Sequence, residues 1–546
     1  MRPPVRRALS NATSVLAFLL VFVAMVAPNA LSAIRPKYFV SIPIEALVCA
    51  ALFVVLPRWP RRVLASIVGV LLGLLAILKM FDMGFREVFA RPFDPILDWA
   101  LLGDGVEFVW REYGRVAGIG VQVLAGLVAA AALTLMALAV LRLSRLAARH
   151  RREVSAGVGV LAVAWVVCFA LGAQIVPGLP VASTTTSRSA YQRVLDVRHG
   201  LQDAQVFAAE SKVDAFRGTP ANQLLTGLRG KDFMLTFIES YGRVAIQDPQ
   251  FAPQMSALLG NGYSRLRSLG FSARSGYLTS STSGGGSWLA HSTMESGLWI
   301  NNQRRYRTLV QSDRFTLTSA FRTAGWRTTA ILPATAGAWP EGSFYGFKKV
   351  YEGVDLGYKG PPFVFGTAPD QYTLSAFQRL EHGPAHAPLM AEVVLVSSHA
   401  PWSHIPAIAD WNAIGDGADM HPHATPAASG TGRDAVRAGY IQTIEYSLNS
   451  LISYLATYGD DNLVMVFLGD HQPAPIVTGD NATRDVPVTL VAKDPKVLDR
   501  IASWGWQEGL DPGSNAPVWR MDTFRNRFLT AFGSQPAAPT ASHPGN

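Results

Sequence analysis

Three hydrophobic segments of the sequence each end in side chains that can bind a metal ion or a phosphate group. The segment "MLTFIES" delivers Glu239, "VVLVSSH" ends at His399, and "VMVFLGDH" ends at Asp470 and His471. Two carboxylates and an imidazole are ligands that Mn²⁺, Zn²⁺ and Mg²⁺ accept in proteins. Each residue alone is commonly a helix cap, an ion-pair partner or a packed loop residue. Their occurrence at the same end of separate predicted strands indicates a shared site.

A glycine-rich segment, "STSGGGSWLAHSTMESGLWI" at residues 281–300, offers a hydroxyl group to this site. Its three consecutive glycines allow a tight turn, after which a helix can begin. Ser287 stands at that helix start, where a serine is commonly only a cap. Beside a metal site, however, a helix N-terminus also offers N–H groups to a phosphate, so we predict that Ser287 is the nucleophile. The neighbouring hydroxyls that stay open as alternatives are Thr282, Ser283, Ser292 and Thr293.

The elements that must position these residues form an alternating pattern of strands and helices. The predicted strands are "DFMLTFIES", "WRTTAILPA", "MAEVVLVSSH", "NLVMVFLGDH" and "VPVTLVAK", and the predicted helices include "DRFTLTSAFRTAG" and "AGYIQTIEYSLNSLISYLATYG". Apolar strands separated by helices indicate a mostly parallel sheet that is covered on both faces. In such a sheet the active site forms at the carboxyl ends of the strands, where the candidate ligands stand.

The first third of the chain has a different character and predicts a five-helix transmembrane bundle. The whole sequence of 546 residues is 49% hydrophobic and 16% charged, with a mean hydropathy of +0.19, which is too apolar for an ordinary soluble protein. Five apolar runs approach the roughly 20 residues that a membrane-spanning helix needs. They lie at about 13–33, 38–56, 63–82, 116–141 and 156–178.

Positive charges predict the orientation of this bundle. Lysine and arginine are concentrated in "MRPPVRR", "PRWPRR" and "RLSRLAARHRRE", which alternate with loops poorer in positive charge. The positive-inside rule then places the N-terminus in the cytoplasm and, after five crossings, the remaining chain outside it. A cleaved signal peptide is the alternative for the first run. We therefore predict a multi-pass membrane protein whose larger domain lies outside the cytoplasm.

Charge and cysteine content exclude two other classes of protein. The net charge of +9 lies largely in the predicted cytoplasmic loops, and no basic block with interleaved aromatic residues indicates nucleic-acid binding. Both cysteines, Cys49 and Cys168, fall in predicted spans. The exported domain therefore has no disulfide and must be stabilised by an ordinary hydrophobic core.

The predicted organisation has four parts. A transmembrane domain occupies residues 1–178, and a juxtamembrane linker at 179–225 contains a helix at 190–216. An α/β catalytic domain follows at 226–533, and the proline- and alanine-rich residues 534–546 are expected to be disordered.

The order of four motifs resembles a known family. The motifs "FIESYGR", "GGGSWLAHSTMESGL", "SSHAPW" and "FLGDHQP", below several spans, resemble those of the sulfatase-like branch of the alkaline phosphatase superfamily. Within that branch the chain resembles lipoteichoic acid synthase and the membrane phosphoglycerol transferases that decorate periplasmic glucans. The resemblance implies an extracytoplasmic domain of the alkaline phosphatase and sulfatase fold. Together with the predicted spans, it implies a multi-pass protein of the bacterial inner membrane whose catalytic domain is periplasmic.

The resemblance also implies roles for individual residues. Glu239, Asp470 and His471 match the ligands of one divalent ion, for which Mn²⁺ is favoured over Zn²⁺ and Mg²⁺. Ser287 matches the nucleophile that also contacts the metal, and His399 matches a histidine that contacts the substrate phosphate. In the family the nucleophile takes a phosphoglycerol group from phosphatidylglycerol, a membrane phospholipid donor, and passes it to a hydroxyl of an acceptor. The expected acceptor here is a glycan or glycolipid of the cell envelope.

One departure and several alternatives accompany this interpretation. The chain has serine where the lipoteichoic acid synthases have threonine. Its nucleophile segment lacks the proline and arginine of the C/S-x-P-x-R motif of true sulfatases, which argues against sulfate ester hydrolysis. Phosphoethanolamine transfer, phosphoester hydrolysis and an inactive scaffold remain alternatives. Arg243 and Trp402 are further candidates for substrate binding. The alternative role of Arg243 is a surface ion pair, and that of Trp402 is ordinary packing. The oligomeric state is open.

Overall fold

The computed structural model describes most of the chain. The described residues are 3–176, 179–335, 339–363, 367–430, 432–480 and 482–534. They form two compact units. The helical unit comprises residues up to Glu87 together with Arg91–Asp203, and the sheet unit comprises Val88–Ala90 and the residues from Ala204 onward. The predicted disordered tail, apart from residue 534, lies outside the described residues.

Seven α-helices begin among the described residues of the helical unit. They are α1 (Pro3–Val26), α2 (Ile44–Val55), α3 (Arg58–Phe89), α4 (Trp99–Tyr113), α5 (Arg115–Arg149), α6 (Arg151–Ala170) and α7 (Thr185–Glu210). Short strands accompany them: β1 (Ile42–Pro43), β2 (Gln174–Val176), β3 (Leu179–Pro180) and β4 (Ala182–Ser183).

Four of these helices are long and apolar enough to cross a bilayer, namely α1, α3, α5 and α6. The second predicted run becomes α2, which has only 12 residues because it begins directly after Pro43. At 1.5 Å per residue this helix is about 18 Å long, shorter than the ~30 Å hydrocarbon core. The N-terminal apolar helices are thus confirmed, whereas the number of five spans stays a prediction.

Two ionisable groups inside the helical unit, Lys79 and Asp82, are paired. The ammonium group of Lys79 donates to the main-chain oxygens of Ala24 (3.0 Å) and Ala27 (2.7 Å), at the C-terminal end of α1. Asp82 pairs with Arg193 and accepts the N–H of Phe93 at 3.1 Å. Such pairing offsets the cost of placing ionisable groups in an apolar region. Apolar side chains of α1, α2, α3 and α5 also line a cavity of about 1000 Å³.

The sheet unit is built on one nine-stranded sheet. Its strands are β5 (Asp232–Ile238), β6 (Ser272–Thr279), β7 (Arg327–Leu332), β8 (Lys349–Glu352), β9 (Leu389–Leu395), β12 (Leu463–Gly469), β13 (Asp485–Ala492), β14 (Gln507–Glu508) and β15 (Val518–Arg520). A separate hairpin pairs β10 (His404–Pro406) with β11 (Pro422–Ala424). The strand order in the sheet is β14-β6-β13-β12-β5-β9-β7-β8, with β15 beside β6. The pairs from β12 through β8 are parallel, which confirms the predicted mostly parallel sheet.

Helices cover both faces of this sheet. They are α8 (Arg243–Gln247), α9 (Ala252–Ser268), α10 (Ser287–Ser296), α11 (Gln303–Val310), α12 (Leu317–Thr323), α13 (Gly342–Tyr345), α14 (Asp370–Leu380), α15 (Pro426–Ser429), α16 (Arg433–Tyr458), α17 (Pro475–Thr478), α18 (Pro495–Asp499) and α19 (Phe524–Phe532). Strand β5 shows why the sheet must be covered twice. Met234 and Ile238 lie in one hydrophobic core, and Phe233, Leu235 and Phe237 lie in another. Successive side chains of a strand point to opposite faces, so each face needs its own layer of helices.

All five predicted strands of the sheet unit are present, but sequence patterns missed β6. Its sequence, "SARSGYLT", is polar for a central strand, yet it pairs with β13 along eight residues. Ser275 is fully buried, and its hydroxyl donates to the main-chain oxygen of Gly509 at 2.5 Å. A buried hydroxyl that has a hydrogen-bond partner can replace an apolar side chain in the interior, and a search for hydrophobic periodicity does not detect such a residue.

The end of the predicted linker is anchored in the sheet unit by a buried ion pair. Both carboxylate oxygens of Asp214 accept from Arg525 at 2.9 Å, and Arg314 Nε lies 3.2 Å from Asp214 Oδ2. Burial alone would raise the pKa of Asp214, but the two arginines outweigh it and hold this pKa below its usual value. The side chains of Arg525 and Asp214 are 0% and 1% exposed.

Asp214→Asn is therefore expected to lower the free energy of unfolding of the sheet unit by about 3–5 kcal/mol, because it leaves Arg525 buried without its counter-ion. Thermal unfolding of the full-length protein in detergent measures this. Asp313→Asn is the matched control, since Asp313 forms an exposed pair with Arg217 whose loss costs at most about 1 kcal/mol. Equal shifts for the two variants would contradict the prediction.

Candidate active site

Two neighbouring parallel strands bring the predicted carboxylates together. Strands β5 and β12 pair in register, with Gly469 opposite Ile238, so Glu239 and Asp470 follow directly at the same edge of the sheet. The close approach requires a glycine at 469, since a Cβ atom there would lie 1.9 Å from the oxygen of Tyr241. Both carboxylates are buried, at 5% and 1% exposure.

Glu239, Asp470 and His471 form a compact group. Their ligand atoms all lie within 4.8 Å of one another. His471 Nε2 is 3.4 Å from Glu239 Oε1 and 3.6 Å from Asp470 Oδ2. The structure thus brings these three predicted metal ligands to one point.

Hydrogen bonds orient each member of the group. Asp470 Oδ1 accepts the N–H of Ser240 (2.8 Å) and of His471 (2.7 Å), which leaves Oδ2 toward the group. The hydroxyl of Ser240 donates to Glu239 Oε1 at 2.8 Å. His471 Nδ1 lies 2.8 Å from the oxygen of Gln472, which can only accept, so Nδ1 carries the proton. An imidazole held in this way is oriented to ligate through Nε2.

The charges of Glu239, Asp470 and His471 favour the binding of a cation. Burial together with the charge of Glu239 raises the pKa of Asp470 to about 6. Burial also acts to raise the pKa of Glu239, but His471, His399 and the Ser240 hydroxyl outweigh it and lower this pKa to about 2. Against its burial, the two carboxylates raise the pKa of His471. Two buried carboxylates and an oriented imidazole therefore fit a divalent ion, which would supply the missing positive charge.

Ser287 lies beside this group at the beginning of α10. The φ angles of Gly284, Gly285 and Gly286 are all positive, at 74°, 153° and 81°. Residues that have a Cβ atom rarely adopt such a backbone conformation. The turn places Ser287 Oγ 3.0 Å from Glu239 Oε2, to which it donates, and 3.2 Å from His471 Nε2.

None of the four alternative hydroxyls of this segment has a hydrogen bond to Glu239 or His471 among the described contacts. Ser292 donates to the oxygen of Trp288 at 2.5 Å and contacts the hydroxyl of Tyr345 at 2.6 Å. Thr293 donates to Ser281 at 2.9 Å. Thr282 Oγ1 is buried and has no hydrogen-bond partner among the described residues. Ser283 pairs through its backbone with Gln472. Ser287 is therefore the residue of this segment whose hydroxyl contacts both Glu239 and His471.

His399 follows β9, the strand on the other side of β5. Its Nδ1 lies 2.6 Å from the oxygen of Ala400, which can only accept and so holds the imidazole in place. The hydroxyl of the preceding Ser398 donates to the main-chain oxygen of Glu239 at 2.6 Å, so this loop is hydrogen-bonded to the loop that follows β5. The charge of His399 is one of those that lower the pKa of Glu239, so His399 lies within electrostatic reach of the group.

The structure gives Arg243 and Trp402 other contacts. Arg243 Nη1 forms a 3.0 Å ion pair with Asp485, and its guanidinium stacks over the ring of Tyr277. Trp402 is 3% exposed and donates to the oxygen of Ser398 at 2.7 Å. These are the ion pair and the packing that were the alternatives for these two residues, so we leave both out of the proposed substrate contacts.

Sequence reasoning missed His291, which follows Ser287 by one helical turn on α10. Its ring stacks on Phe237 at 3.8 Å between centroids, and its Nδ1 lies 3.4 Å from Glu392. The charge of His291 acts to lower the pKa of Asp470. The i to i+4 spacing from Ser287 was the available signal, because residues at that spacing share one face of a helix.

Solved structures that align with the chain include those of three bacterial proteins. The lipooligosaccharide phosphoethanolamine transferase A of Neisseria meningitidis aligns over 96% of this chain and 95% of its own, at 14% identity and a TM-score of 0.45. The lipoteichoic acid synthase LtaP of Listeria monocytogenes aligns over 61% and 79%, at 14% identity and a TM-score of 0.38. The phosphoglycerol transferase GacH of Streptococcus pyogenes aligns over 59% and 78%, at 14% identity and a TM-score of 0.34.

Sequence comparisons give one clear match. No curated protein matches the chain. The sulfatase family model, however, matches residues 246–485, a range that includes Ser287, His399, Asp470 and His471. Over this range, which is less than half of the chain, the sequence is similar to the sulfatase family, and this confirms the predicted resemblance to the sulfatase-like branch.

Proposed function

We propose that the protein is a metal-dependent membrane phosphotransferase that moves a phosphoglycerol group from phosphatidylglycerol to a hydroxyl of an envelope glycan or glycolipid. The observation that carries the proposal is the position of Ser287 Oγ, 3.0 Å from Glu239 and 3.2 Å from His471. A hydroxyl at this place can attack a phosphorus atom and form a phospho-serine intermediate.

The surroundings of Ser287 suit a phosphoryl group. Ser287 is the first residue of α10, a helix of ten residues, and the first N–H groups of a helix have no acceptor within it. These groups and the positive end of the helix dipole favour an anion. Phosphoryl transfer depends mainly on positioning and on stabilising charge at the phosphoryl oxygens, which this arrangement provides.

The residues divide the transfer into two steps. In the first, Ser287 Oγ forms a bond to phosphorus while the bond from phosphorus to the diacylglycerol oxygen breaks. The Ser287 proton passes to solvent water, because Glu239 with its low pKa accepts the hydrogen bond without keeping the proton, and His399 protonates the diacylglycerol oxygen. In the second step the acceptor hydroxyl gives its proton to His399 and attacks phosphorus, the bond from phosphorus to Ser287 Oγ breaks, and Ser287 regains a proton from solvent water. A divalent ion held by Glu239, Asp470 and His471, for which we favour Mn²⁺, would lower the pKa of the serine hydroxyl and neutralise phosphoryl charge.

A lipid donor is consistent with the N-terminal half of the chain. Four helices there are long enough to span a bilayer, and an enzyme anchored in this way meets phospholipid headgroups at the membrane surface. The apolar cavity of about 1000 Å³ in the helical unit is also of a size that admits acyl chain segments. The arginine-rich segments between the apolar runs support a periplasmic position of the sheet unit.

The headgroup is the finer part of the proposal. Phosphoglycerol is preferred to phosphoethanolamine because phosphoethanolamine transferases resemble this domain but typically contain disulfides. The only two cysteines here, Cys49 in α2 and Cys168 in α6, are both free and lie in the helical unit.

Release of diacylglycerol from lipid vesicles tests the function. Purified full-length protein with Mn²⁺ is expected to release diacylglycerol from phosphatidylglycerol and not from phosphatidylethanolamine, and Ser287→Ala is expected to release none. Release from phosphatidylethanolamine alone would replace the headgroup and keep the mechanism. No release from either lipid by a metal-loaded protein would contradict the lipid-donor proposal.

A further inference from the structure

A second cluster of metal-binding side chains lies at the opposite edge of the same sheet. Asp232 is the first residue of β5, and His382 and His386 lie in the short connection from α14 to β9. Asp232 Oδ2 is 3.9 Å from His382 Nε2 and 3.7 Å from His386 Nε2. One ligand atom from each residue lies within 4.8 Å of the others.

This cluster is separate from the candidate active site. Asp232 and Glu239 stand at the two ends of β5, seven residues apart, which corresponds to about 23 Å along a strand. The parallel pairing of β5 with β9 brings the start of β9 beside Asp232, just as it brings the loop after β9, which carries His399, beside Glu239 at the other end. No residue belongs to both groups.

The hydrogen bonds of His382 leave its Nε2 as an unpaired acceptor. Nδ1 lies 3.0 Å from Gln378 Oε1. The amide of Gln378 is fixed in this orientation, because its Nε2 donates to the oxygen of His382 (2.6 Å) and its Oε1 accepts from Tyr454 (2.8 Å). Since Oε1 can only accept, the proton of the imidazole is on Nδ1. Nε2 is buried without a hydrogen-bond partner among the described residues, and His382 is only 4% exposed.

His386 is held in the same tautomer. Its Nδ1 lies 3.0 Å from the oxygen of Ala387, which can only accept, so Nδ1 carries a proton and Nε2 is the ring nitrogen that faces Asp232. Asp232 is oriented by the N–H of Leu389, which donates to Oδ1 at 2.8 Å and leaves Oδ2 for the cluster. Three atoms that can each bind a cation therefore face one another, and this arrangement is unfavourable unless positive charge lies among them.

The protonation tendencies agree with this geometry. Burial lowers the pKa of His382, which keeps its imidazole in the neutral form that ligates metals. Burial also raises the pKa of Asp232, and the carboxylate of Asp460 acts in the same direction. A positive charge at the cluster would stabilise Asp232 in its ionised form.

We propose that Asp232, His382 and His386 bind a second divalent transition-metal ion of the Zn²⁺ type. Two imidazoles and a carboxylate are a known ligand set for Zn²⁺, whereas Mg²⁺ and Ca²⁺ prefer oxygen ligands. Each imidazole donates its other N–H to an oxygen, as metal-bound histidines do.

Binding needs only a modest contraction of the cluster. Ligand atoms about 2.0 Å from a tetrahedral ion are about 3.3 Å apart, so the recorded 3.7 and 3.9 Å separations shorten by less than 1 Å. The connection that carries both histidines contains Gly383 and Pro384 and is exposed from residue 384 to residue 388. The side chain of His386 is 23% exposed, which leaves an entry path and room for water as the fourth ligand. The ion would fasten this connection to the start of β5.

Zinc content of the full-length protein in detergent tests the proposal. After chelation, reloading with Zn²⁺ and desalting, elemental analysis is expected to find two ions per wild-type chain. His386→Ala and Asp470→Asn should each retain one ion, and the double variant should retain none. His386→Ala is preferred to a change at His382, whose buried ring supports packing, although His382→Ala should give the same count if it folds.

Thermal unfolding gives a second measurement that does not depend on activity. In the Asp470→Asn background Zn²⁺ is expected to raise the Tm, and adding His386→Ala should remove that increase. A pair of exposed histidines, His421 and His423, provides the control for adventitious binding. A second ion that persists in His386→Ala and is lost when both control histidines are changed to alanine would overturn the proposal. So would a wild-type protein that holds one ion only.

Discussion

Ser287→Ala is expected to lower the rate of phosphoglycerol transfer by at least about a thousandfold, or ~4 kcal/mol in activation free energy. The hydroxyl is the predicted attacking group, and the group of Glu239, Asp470 and His471 remains without it. The variant should therefore still bind metal and lipid. Diacylglycerol release from phosphatidylglycerol vesicles, followed over time with metal content measured on the same sample, checks both statements.

Two further variants sharpen this experiment. Ser287→Thr keeps a hydroxyl at the start of α10 and should retain measurable transfer, since threonine occupies this position in the lipoteichoic acid synthases that the chain resembles. Ser292→Ala removes a hydroxyl from the same helix that contacts Trp288 and Tyr345, and should transfer within a few-fold of the wild type. A Ser287→Ala protein that transfers as well as Ser292→Ala would contradict the assignment of the nucleophile.

Asp470→Asn is expected to abolish metal binding at the active site and, with it, transfer. The asparagine oxygen can still accept from the N–H groups of Ser240 and His471, so the loop should keep its fold. What is lost is the charged oxygen that faces Glu239 and His471. Because even residues that only support metal ligands contribute tenfold to a hundredfold in affinity, we expect Mn²⁺ affinity to fall by more than about a hundredfold.

Stability separates this effect from misfolding. In the metal-free protein Glu239 and Asp470 are two buried carboxylates in close contact, so the neutral side chain should leave the Tm unchanged or raise it. Mn²⁺ should raise the Tm of the wild type and not that of Asp470→Asn. Asp248→Asn is the matched control, because Asp248 pairs with Arg437 outside the group and its loss should spare metal binding. Equal Mn²⁺ affinity in wild type and Asp470→Asn would contradict the predicted ligand set.

The core of the candidate site was predictable because strong local signals and one topological rule coincide there. Glu239 and Asp470 follow strands whose residues are all buried, and such strands are visible as continuous apolar runs. The rule that parallel strands gather their carboxyl ends then places the two residues together. The positive φ angles after Ser283 likewise follow from three glycines, so the start of α10 at Ser287 was readable.

Other features depend on contacts that no local pattern encodes. Strand β6 is stabilised by hydrogen bonds of its serines and by its place between β13 and β15, although its sequence is polar. Arg243 follows Glu239 by four residues, yet its side chain pairs with Asp485 at the start of β13, which is distant in sequence. The second cluster joins Asp232 to residues some 150 positions later, and only the pairing of β5 with β9 shows that they meet. Because α2 begins only after the proline at position 43, it is shorter than the apolar run predicted at 38–56.

Mass spectrometry of the protein after reaction with its donor tests the central claim most directly. Full-length protein loaded with Mn²⁺ is incubated with phosphatidylglycerol in the absence of an acceptor, digested and analysed. The predicted result is a phosphoglycerol group on the peptide that contains Ser287, absent from Ser287→Ala. Diacylglycerol release without any such adduct, or an adduct on another residue that persists in Ser287→Ala, would contradict transfer through phospho-Ser287.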